Sequence, residues 1–260
     1  MTTGPDDFAY FLDVDGTLID LADEPHHVKL SRTLPGLLDA LYERAGGAVA
    51  LISGRSLAGL DRLFPSLRLP AAGQHGLELR TATGRVFAHG ARSHTIDPAR
   101  EALAKFASRH RALLVEDKGL SIALHYRRAP RLAGVAHRTM RALQAQLGDR
   151  YVVHRGKRVV ELAPAGRNKG AAIRTLMREA PFRGLTPLFI GDDVTDEFGF
   201  AMVNRLGGTT IKVGPGPTVA VSRLPNVDAV LKWLRSGRPV PKRLRPEGEE
   251  RTPSFPRVSA

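Results

Sequence analysis

The chain has 260 residues, a formal net charge of +13 and no cysteine. Without cysteine it has no disulfide, thiol nucleophile or thiolate-bound metal, and no apolar run approaches the roughly 20 residues that a membrane-spanning helix needs. The positive charge is scattered and aromatic residues are few, which argues against nucleic-acid binding and leaves anionic small substrates or a merely arginine-rich composition. The N-terminal segment is acidic, unlike a secretory signal, so we expect a cytoplasmic enzyme that binds no membrane.

The first predicted element is an apolar, aromatic run over residues 8–12, which indicates a buried strand of a parallel sheet. Asp13 and Asp15 follow it, and the strand period of two puts both on the same side before Gly16 lets the chain turn. Carboxylates this close repel each other unless a cation or a shared proton relieves them, and Mg²⁺ is the usual cation. The alternative is that both acids cap the following turn and helix.

Helices and strands then alternate up to residue 90. The apolar spacing predicts a helix over 35–44, a strand over 48–52, a short helix over 56–64, a strand ending near residue 73 and a hairpin over 77–89. Such alternation is typical of a doubly wound α/β sheet. Ser53, Gly54 and Arg55 follow the second strand, where a hydroxyl and backbone N–H groups at a helix start can hold a phosphoryl oxygen. Ser-Gly after a strand is also a common simple turn.

Between residues 91 and 163 the order of elements changes. The sequence predicts a helix over 98–110, paired strands over 113–117 and 120–127, a helix over 130–147, and paired strands over 151–155 and 158–162. This order is typical of a small antiparallel sheet backed by two helices, and we interpret it as an inserted α+β module. Strand alternation gives the sheet one apolar and one polar face, and the polar face either covers a site or is simply solvated.

The first pattern resumes with a helix over 168–179, for which Asn168 is the expected N-cap. Lys169 lies at the start of that helix, where the helix dipole disfavours a cation, so it either reaches carboxylates or a phosphate or is solvated. A buried strand over 187–191 then leads into four acids, which are Asp192, Asp193, Asp196 and Glu197. Their oxygens suit Mg²⁺, although four acids could also form a capped helix start.

We therefore expect an α/β fold with a doubly wound, Rossmann-like parallel-sheet core and a smaller inserted α+β domain. A strand over 209–213 and a helix over 227–235 complete the core. The expected boundaries are 7–90 and 164–236 for the two parts of the core and 91–163 for the insertion. Residues 237–260 are rich in proline, arginine and glutamate without periodicity, so we expect a disordered basic tail.

Four short motifs follow one another along the predicted core: Asp-Val-Asp-Gly-Thr at 13–17, Ser-Gly-Arg at 53–55, Gly-Arg-Asn-Lys at 166–169 and Gly-Asp-Asp-Val-Thr-Asp at 191–196. In combination they resemble the haloacid dehalogenase-like phosphotransferases, over residues 7 to about 235. Connecting segments at 73–78, 115–127 and 156–162 narrow the resemblance to the trehalose-6-phosphate phosphatases.

The resemblance implies that Asp13 is a nucleophile that forms an aspartyl-phosphate, and that Asp15 protonates the leaving sugar oxygen and later deprotonates water. It also implies Mg²⁺ bound by Asp13, the Asp15 carbonyl and Asp192, with Asp196 alongside. The implied phosphoryl-binding residues are Ser53, Gly54, Arg55 and Lys169.

The inserted module is, by the same resemblance, a cap that closes over the site and binds sugar hydroxyls. The implied cap residues are Glu116, Lys118, Arg127 and Glu161, with Lys157 as a weaker candidate. Further candidate site residues are His75, Asn168 and Asp193.

The implied substrate is trehalose 6-phosphate, and we expect a monomer. Three alternatives stay open. The first is a related phosphatase acting on sucrose phosphate or mannosyl-phosphoglycerate, and the second is a phosphoglucomutase-type transferase. The third is a non-catalytic nucleic-acid-binding protein that uses the positive charge.

Overall fold

The computed structural model describes residues 7–21, 30–89 and 94–236. The helices are α1 (Leu34–Arg44), α2 (Leu57–Leu63), α3 (Asp97–Arg109), α4 (Ala133–Leu147), α5 (Lys169–Leu176), α6 (Glu197–Arg205) and α7 (Val227–Ser236). The strands are β1 (Phe8–Leu12), β2 (Val49–Ile52), β3 (Ala71–Gly73), β4 (Glu78–Arg80), β5 (Val86–Ala88), β6 (Leu114–Asp117), β7 (Ile122–His125), β8 (Tyr151–Gly156), β9 (Val159–Pro164), β10 (Thr186–Gly191), β11 (Thr209–Val213) and β12 (Ser222–Leu224).

The larger sheet has eight strands in the order β12-β11-β10-β1-β2-β3-β4-β5. Neighbours from β12 to β3 are parallel, and β4 and β5 add an antiparallel edge. Helices cover both faces because alternate residues of β1 point to opposite sides. Tyr10 and Leu12 join the apolar cluster of α1, α2 and α7, whereas Ala9 and Phe11 join that of α5 and α6. The predicted doubly wound α/β core is confirmed.

The central strands of this sheet end side by side. Phe11 of β1 lies opposite Phe189 of β10 and next to Ala50 of β2 on the other side. The segments after these three strands therefore leave the sheet at one carboxyl edge, where open α/β sheets place their ligand sites.

The cap consists of α3, α4 and strands β6 to β9, and it is inserted between β5 and α5. Its sheet is antiparallel throughout, in the order β6-β7-β9-β8. Leu103 of α3, Met140 of α4 and Leu162 of β9 belong to a separate apolar core. Its own core lets such a module keep its shape while it moves as a unit. The predicted smaller α+β insertion is confirmed.

The structure also differs from the predicted pattern. The periodicity does not predict α6, which begins inside the acidic segment, or β12, which is too short to show an alternation. Helix α5 ends at Leu176, earlier than predicted, and the chain continues in turns toward Pro181. The tail over 237–260 lies outside the described residues. Within the described residues, none of the helices is long and apolar enough to cross a membrane.

Candidate active site

Three carboxylates and one ammonium group meet at the carboxyl edge of the large sheet. Oxygens of Asp13, Asp192 and Asp196 lie within 4.8 Å of one another. Lys169 Nζ lies 2.7 Å from Asp13 Oδ1 and 2.6 Å from Asp196 Oδ1. All four side chains are buried. The lysine at the start of α5 thus reaches carboxylates, which explains a cation at an electrostatically unfavourable helix end.

The loop after β1 lies directly against Asp192. Gly16 has a φ of +87°, and a Cβ there would be 2.0 Å from Asp192 Oδ2. Any other residue would therefore push the two acidic segments apart. Thr17 Oγ1 donates to Asp13 Oδ2 at 2.9 Å, so both oxygens of Asp13 are held in fixed directions.

Asp196 holds the backbone of the acidic segment in place. Its Oδ2 accepts the backbone N–H groups of Asp192 at 2.9 Å and of Asp193 at 2.8 Å. Asp193 and Asp196 also form a reciprocal capping box at the start of the turn that leads into α6. The acidic segment is therefore both a capped helix start and part of a carboxylate cluster, so the two interpretations of its sequence do not exclude each other.

The cluster carries more negative charge than Lys169 offsets. Burial raises the pKa of Asp13 well above its usual value, and Asp196 and Asp192 add to the rise although Lys169 opposes it. Burial likewise raises the pKa of Asp192 to about 6. Burial alone would lower the pKa of Lys169, but Asp13 and Asp196 outweigh it and raise that pKa. Such a cluster gains stability from a further cation.

The residues fit a divalent metal ion. Asp192 Oδ1 is buried and has no hydrogen-bond partner among the described residues. Asp13, Asp192 and Asp196 supply only oxygen donors, which hard divalent cations prefer over nitrogen or sulfur ligands. An unpartnered carboxylate oxygen beside other carboxylates is the donor that such an ion requires.

Ser53 and Arg55 lie at the end of β2. Ser53 Oγ accepts the backbone N–H of Arg55 at 3.1 Å, so its own proton remains available to an acceptor. The Arg55 guanidinium forms a two-pronged contact with Asp15, at 2.7 Å and 2.6 Å. Burial would lower the pKa of Arg55, but these hydrogen bonds to Asp15 outweigh it and raise that pKa. Asp15 is therefore fixed in orientation by a permanent cation.

The polar face of the cap sheet lies against this edge of the core. Lys118 Nζ donates to the Gly54 carbonyl at 2.9 Å and to Glu161 Oε2 at 2.6 Å. Ser121 Oγ lies 2.9 Å from Gln74 Oε1 and 2.6 Å from Glu161 Oε1. Burial would raise the pKa of Glu161, but Lys118 and His75 hold it well below its usual value. The cap is thus closed onto the core through an ionised, buried glutamate.

Most predicted site residues line one cavity of about 120 Å³. Those from the core are Asp13, Asp15, Gly54, Arg55, His75, Lys169, Asp192 and Asp193, and those from the cap are Glu116, Lys118, Arg127, Lys157 and Glu161. Pockets for drug-sized ligands measure roughly 300–1,000 Å³, so the cavity beneath the cap is small by comparison.

Three predicted residues do not line the cavity. Ser53 and Asp196 are fully buried beneath it. Asn168 instead caps α5, because its Oδ1 accepts the Ala171 N–H at 2.9 Å. Asp196 and Asn168 hold charged groups and backbone from behind, whereas the Ser53 hydroxyl keeps its proton for an acceptor.

Two further candidate functional residues are not predicted from the sequence. His125 lines the cavity and its Nε2 lies 2.9 Å from Glu116 Oε2. Strand alternation puts His125 on the polar face, which is the signal that could have identified it. Lys212 on β11 is buried and donates to the Asp192 carbonyl at 2.5 Å. A charged residue inside an apolar strand is its sequence signal.

His154 on β8 of the cap packs beside the core loop that precedes β4. Its ring lies 5.5 Å from that of His75, measured between centroids. His75 and Gln74 both have left-handed backbone angles, with φ of 57° and 46°. Non-glycine residues hold such angles only where the surrounding contacts fix them, often at functional sites.

We expect acidification to destabilise the protein through His154. Burial first, and then the charge of His75, lowers the pKa of His154 from 6.5 to about 4. Folding favours the neutral ring, so its contribution is complete above the unfolded value and is lost as the pH falls through about 4. The loss should amount to about 2 kcal/mol, allowing for partial solvent access. Urea unfolding at about pH 7 and about pH 4.5 measures it.

The variant His154→Phe should lose less stability on acidification than the wild-type protein. His110→Phe, on the same cap, is the matched control and should keep the wild-type pH dependence. If His154→Phe and the wild type lost equal stability between the two pH values, the neutral buried ring would not be the cause.

A family described as "Trehalose-phosphatase" matches residues 11–225. A probable trehalose-phosphate phosphatase of Sinorhizobium fredii is 39% identical over 88% of this chain and 87% of its own length. The trehalose-6-phosphate phosphatase of Escherichia coli K12 is 40% identical over 87% of this chain and 85% of its own length.

Solved structures agree with the sequence relatives. The crystal structure of a trehalose-6-phosphate phosphatase related protein superposes with a TM-score of 0.74 at 26% identity, covering 87% of this chain and 95% of that one. The family match begins within β1 and includes the acidic segment after β10 and the whole cap. The chain belongs to the trehalose-phosphatase family.

Proposed function

We propose that the protein is a phosphatase that hydrolyses trehalose 6-phosphate to trehalose and inorganic phosphate, a step of trehalose biosynthesis. The observation that carries the proposal is the carboxylate cluster of Asp13, Asp192 and Asp196 beneath the cap, with Lys169 bound to Asp13 and Asp196. The relatives named above carry the same activity in their descriptions.

Asp13 is the proposed nucleophile. One of its oxygens forms a bond to phosphorus while the bond between phosphorus and the sugar oxygen breaks, leaving an aspartyl-phosphate. Asp15 gives its proton to the leaving sugar oxygen and then takes one from the water that hydrolyses the aspartyl-phosphate. Both Asp15 oxygens accept N–H groups of Arg55. Asp15 therefore takes up the proton that it gives away only once Arg55 has turned from it toward the phosphoryl group.

Mg²⁺ is the proposed cofactor, and Asp13, the Asp15 carbonyl and Asp192 would hold it. When bound, it supplies positive charge that offsets the phosphoryl oxygens. Asp196 acts on its neighbours, because its oxygens already bind Lys169 and two backbone N–H groups. Ser53, Gly54, Arg55 and Lys169 form the proposed phosphoryl-binding set, in which Lys169 balances the charge that develops in transfer.

The proposed cap domain spans 91–163, between core segments 7–90 and 164–236. We assign sugar binding to its cavity-lining residues, which are Glu116, Lys118, Arg127 and Glu161, with Lys157 discussed below. His75 and Asp193 support the closed cap, and Asn168 supports α5. Cytoplasmic location, a monomeric state and the absence of nucleic-acid binding stay predictions.

A phosphate-release assay over a panel of sugar phosphates, with and without Mg²⁺, tests the function. We expect trehalose 6-phosphate to be the best substrate and release to require the metal. Equal or better turnover of sucrose phosphate or mannosyl-phosphoglycerate would remove the trehalose assignment. No release from any substrate, together with salt-sensitive DNA binding, would favour the nucleic-acid alternative.

Glu161→Gln should impair trehalose 6-phosphate more than a small aryl phosphate. The substitution keeps the shape but removes the charge that pairs with Lys118 at 2.6 Å, so contacts to sugar hydroxyls weaken while the core chemistry remains. We expect kcat/KM for trehalose 6-phosphate to fall about 30-fold or more, against about three-fold for the aryl phosphate.

Asp117→Asn is the matched control, because Asp117 is an acid of the same sheet that pairs with Arg100 rather than lining the cavity. It should leave both substrates within about two-fold of the wild type. Equal losses on the two substrates in Glu161→Gln would end the sugar-binding role of Glu161.

A further inference from the structure

The turn between β8 and β9 carries a lysine from the cap onto the metal-binding edge of the core. The ammonium group of Lys157 forms an ion pair with Asp192 Oδ2. The two partners differ sharply in environment, because the Lys157 side chain is 44% exposed and that of Asp192 only 2%. A long, partly exposed side chain can leave this contact at little cost, whereas the buried carboxylate has little room to move.

The turn is fitted closely to the acidic segment beneath it. A Cβ on Gly156 would lie 2.8 Å from Asp193 Oδ2 and 2.9 Å from Val159 Cγ1, so a larger residue would require these side chains to shift. Arg158, the other neighbour of Lys157, has a left-handed φ of 61°. The backbone therefore presents Lys157 to Asp192 from a defined position, and the pair is part of how the cap closes.

Asp192 is also where a divalent cation would bind. Its Oδ1 has no partner among the described residues, and its Oδ2 carries Lys157. Two cations that share one carboxylate repel each other, and each weakens the hold of the other. Lys157 and the metal therefore compete for the same group, although one belongs to the cap and the other to the core.

We propose that Lys157 is a counter-ion of Asp192 that couples closure of the cap to the metal site. Metal binding at Asp192 releases Lys157 and its hairpin, and the substrate's phosphoryl group then binds Lys157 in place of Asp192. This inference rests on the proposed function for its metal and its phosphorylated substrate. The coupling is reciprocal, since a metal that weakens closure must itself bind more weakly to the closed cap. The metal-bound enzyme then opens to admit substrate, and Lys157 pairs with the phosphoryl group of the substrate when the cap closes again.

Mg²⁺ titration calorimetry on the full chain, without substrate, tests the competition. Lys157→Met should bind Mg²⁺ about five-fold more tightly than the wild type, because the competitor is gone. Lys157→Arg keeps a cation there and should stay within about two-fold of the wild type. The matched control is Arg158→Met, which removes the same charge one residue away. It should tighten binding by less than about two-fold.

Hydrogen exchange of the β8–β9 hairpin gives a second measurement. In the wild type, Mg²⁺ should speed exchange at the hairpin amides, whereas in Lys157→Met exchange should be fast with or without the metal. If Lys157→Met and Arg158→Met tightened Mg²⁺ binding equally, the effect would come from the net charge of the hairpin and not from the ion pair with Asp192. Unchanged Mg²⁺ affinity in Lys157→Met would overturn the coupling. So would a wild-type hairpin whose hydrogen exchange does not change when Mg²⁺ binds.

These measurements stand apart from the substrate assay. A protein that releases no phosphate from trehalose 6-phosphate yet shows the Lys157 effect on Mg²⁺ would lose the proposed function and keep the coupling. A phosphatase whose Mg²⁺ affinity ignores Lys157 would keep the function and lose the coupling.

Discussion

Asp13→Asn is expected to lower turnover of trehalose 6-phosphate by about 10⁴-fold or more while the protein stays folded. The amide is nearly isosteric but cannot attack phosphorus, so the aspartyl-phosphate cannot form. Folding should survive because the substitution removes one charge from a buried carboxylate cluster in which burial, Asp196 and Asp192 all raise the pKa of Asp13. Phosphate release under saturating substrate and Mg²⁺ measures the loss, and thermal unfolding checks the fold.

The matched control is Asp39→Asn, an exposed aspartate of α1 in the same core domain. It should keep wild-type turnover and a similar unfolding midpoint. Substantial activity in Asp13→Asn would mean that another group attacks phosphorus. An unfolded Asp13→Asn protein would mean that the carboxylate is needed for structure.

Lys169→Met is expected to lower both activity and stability. Lys169 is buried between Asp13 and Asp196, at 2.7 Å and 2.6 Å, and its loss leaves two carboxylates facing each other without their shared cation. Removing one partner of a buried ion pair costs about 3 kcal/mol or more. Turnover should fall by about 10³-fold, because the phosphoryl group loses a charge that stabilises its transfer.

Urea unfolding and phosphate release on the same preparation measure the two effects. Lys232→Met is the control, because Lys232 is exposed on α7 in the same core, and it should change neither quantity appreciably. The double variant Lys169→Met with Asp196→Asn should regain part of the lost stability, since one of the two facing charges is gone. Wild-type stability in Lys169→Met would show that Lys169 does not balance the cluster.

Local sequence pattern was sufficient to predict the core of this site. An apolar strand followed by Asp13 and Asp15, and another followed by Asp192, indicate acids at strand ends. Parallel strands put their carboxyl ends at one edge, so the acids had to be neighbours. Lys169 stood out because a cation at a helix N-terminus calls for an anion nearby.

The contacts between cap and core could not be predicted in this way. Lys118 with Gly54, Ser121 with Gln74 and Lys157 with Asp192 join residues far apart in the sequence. Periodicity describes which face of its own element a residue occupies, but it does not say which distant element covers that face. For the same reason the buried environment of His154 and its lowered pKa became apparent only from the structure.

The acidic segment after β10 shows a different limit. Its sequence fits both a ligand cluster and a helix start, and the structure contains both, because Asp193 and Asp196 cap the turn while Asp192 faces the cavity. Helix α6, whose first residue is Glu197, begins within this acidic run, where the sequence also fits a ligand cluster. Asp196 could not be separated from Asp192 by pattern alone, since only their hydrogen bonds distinguish them.

The most direct measurement is a rapid acid quench of the enzyme during turnover of trehalose 6-phosphate with Mg²⁺, followed by peptide mass spectrometry. We expect one phosphoryl group on the peptide that contains Asp13, its absence in Asp13→Asn, and its loss on treatment with hydroxylamine, which cleaves acyl phosphates. A phosphoryl group on a different residue, or full turnover in a protein that never becomes phosphorylated, would contradict attack by an aspartate positioned by Lys169.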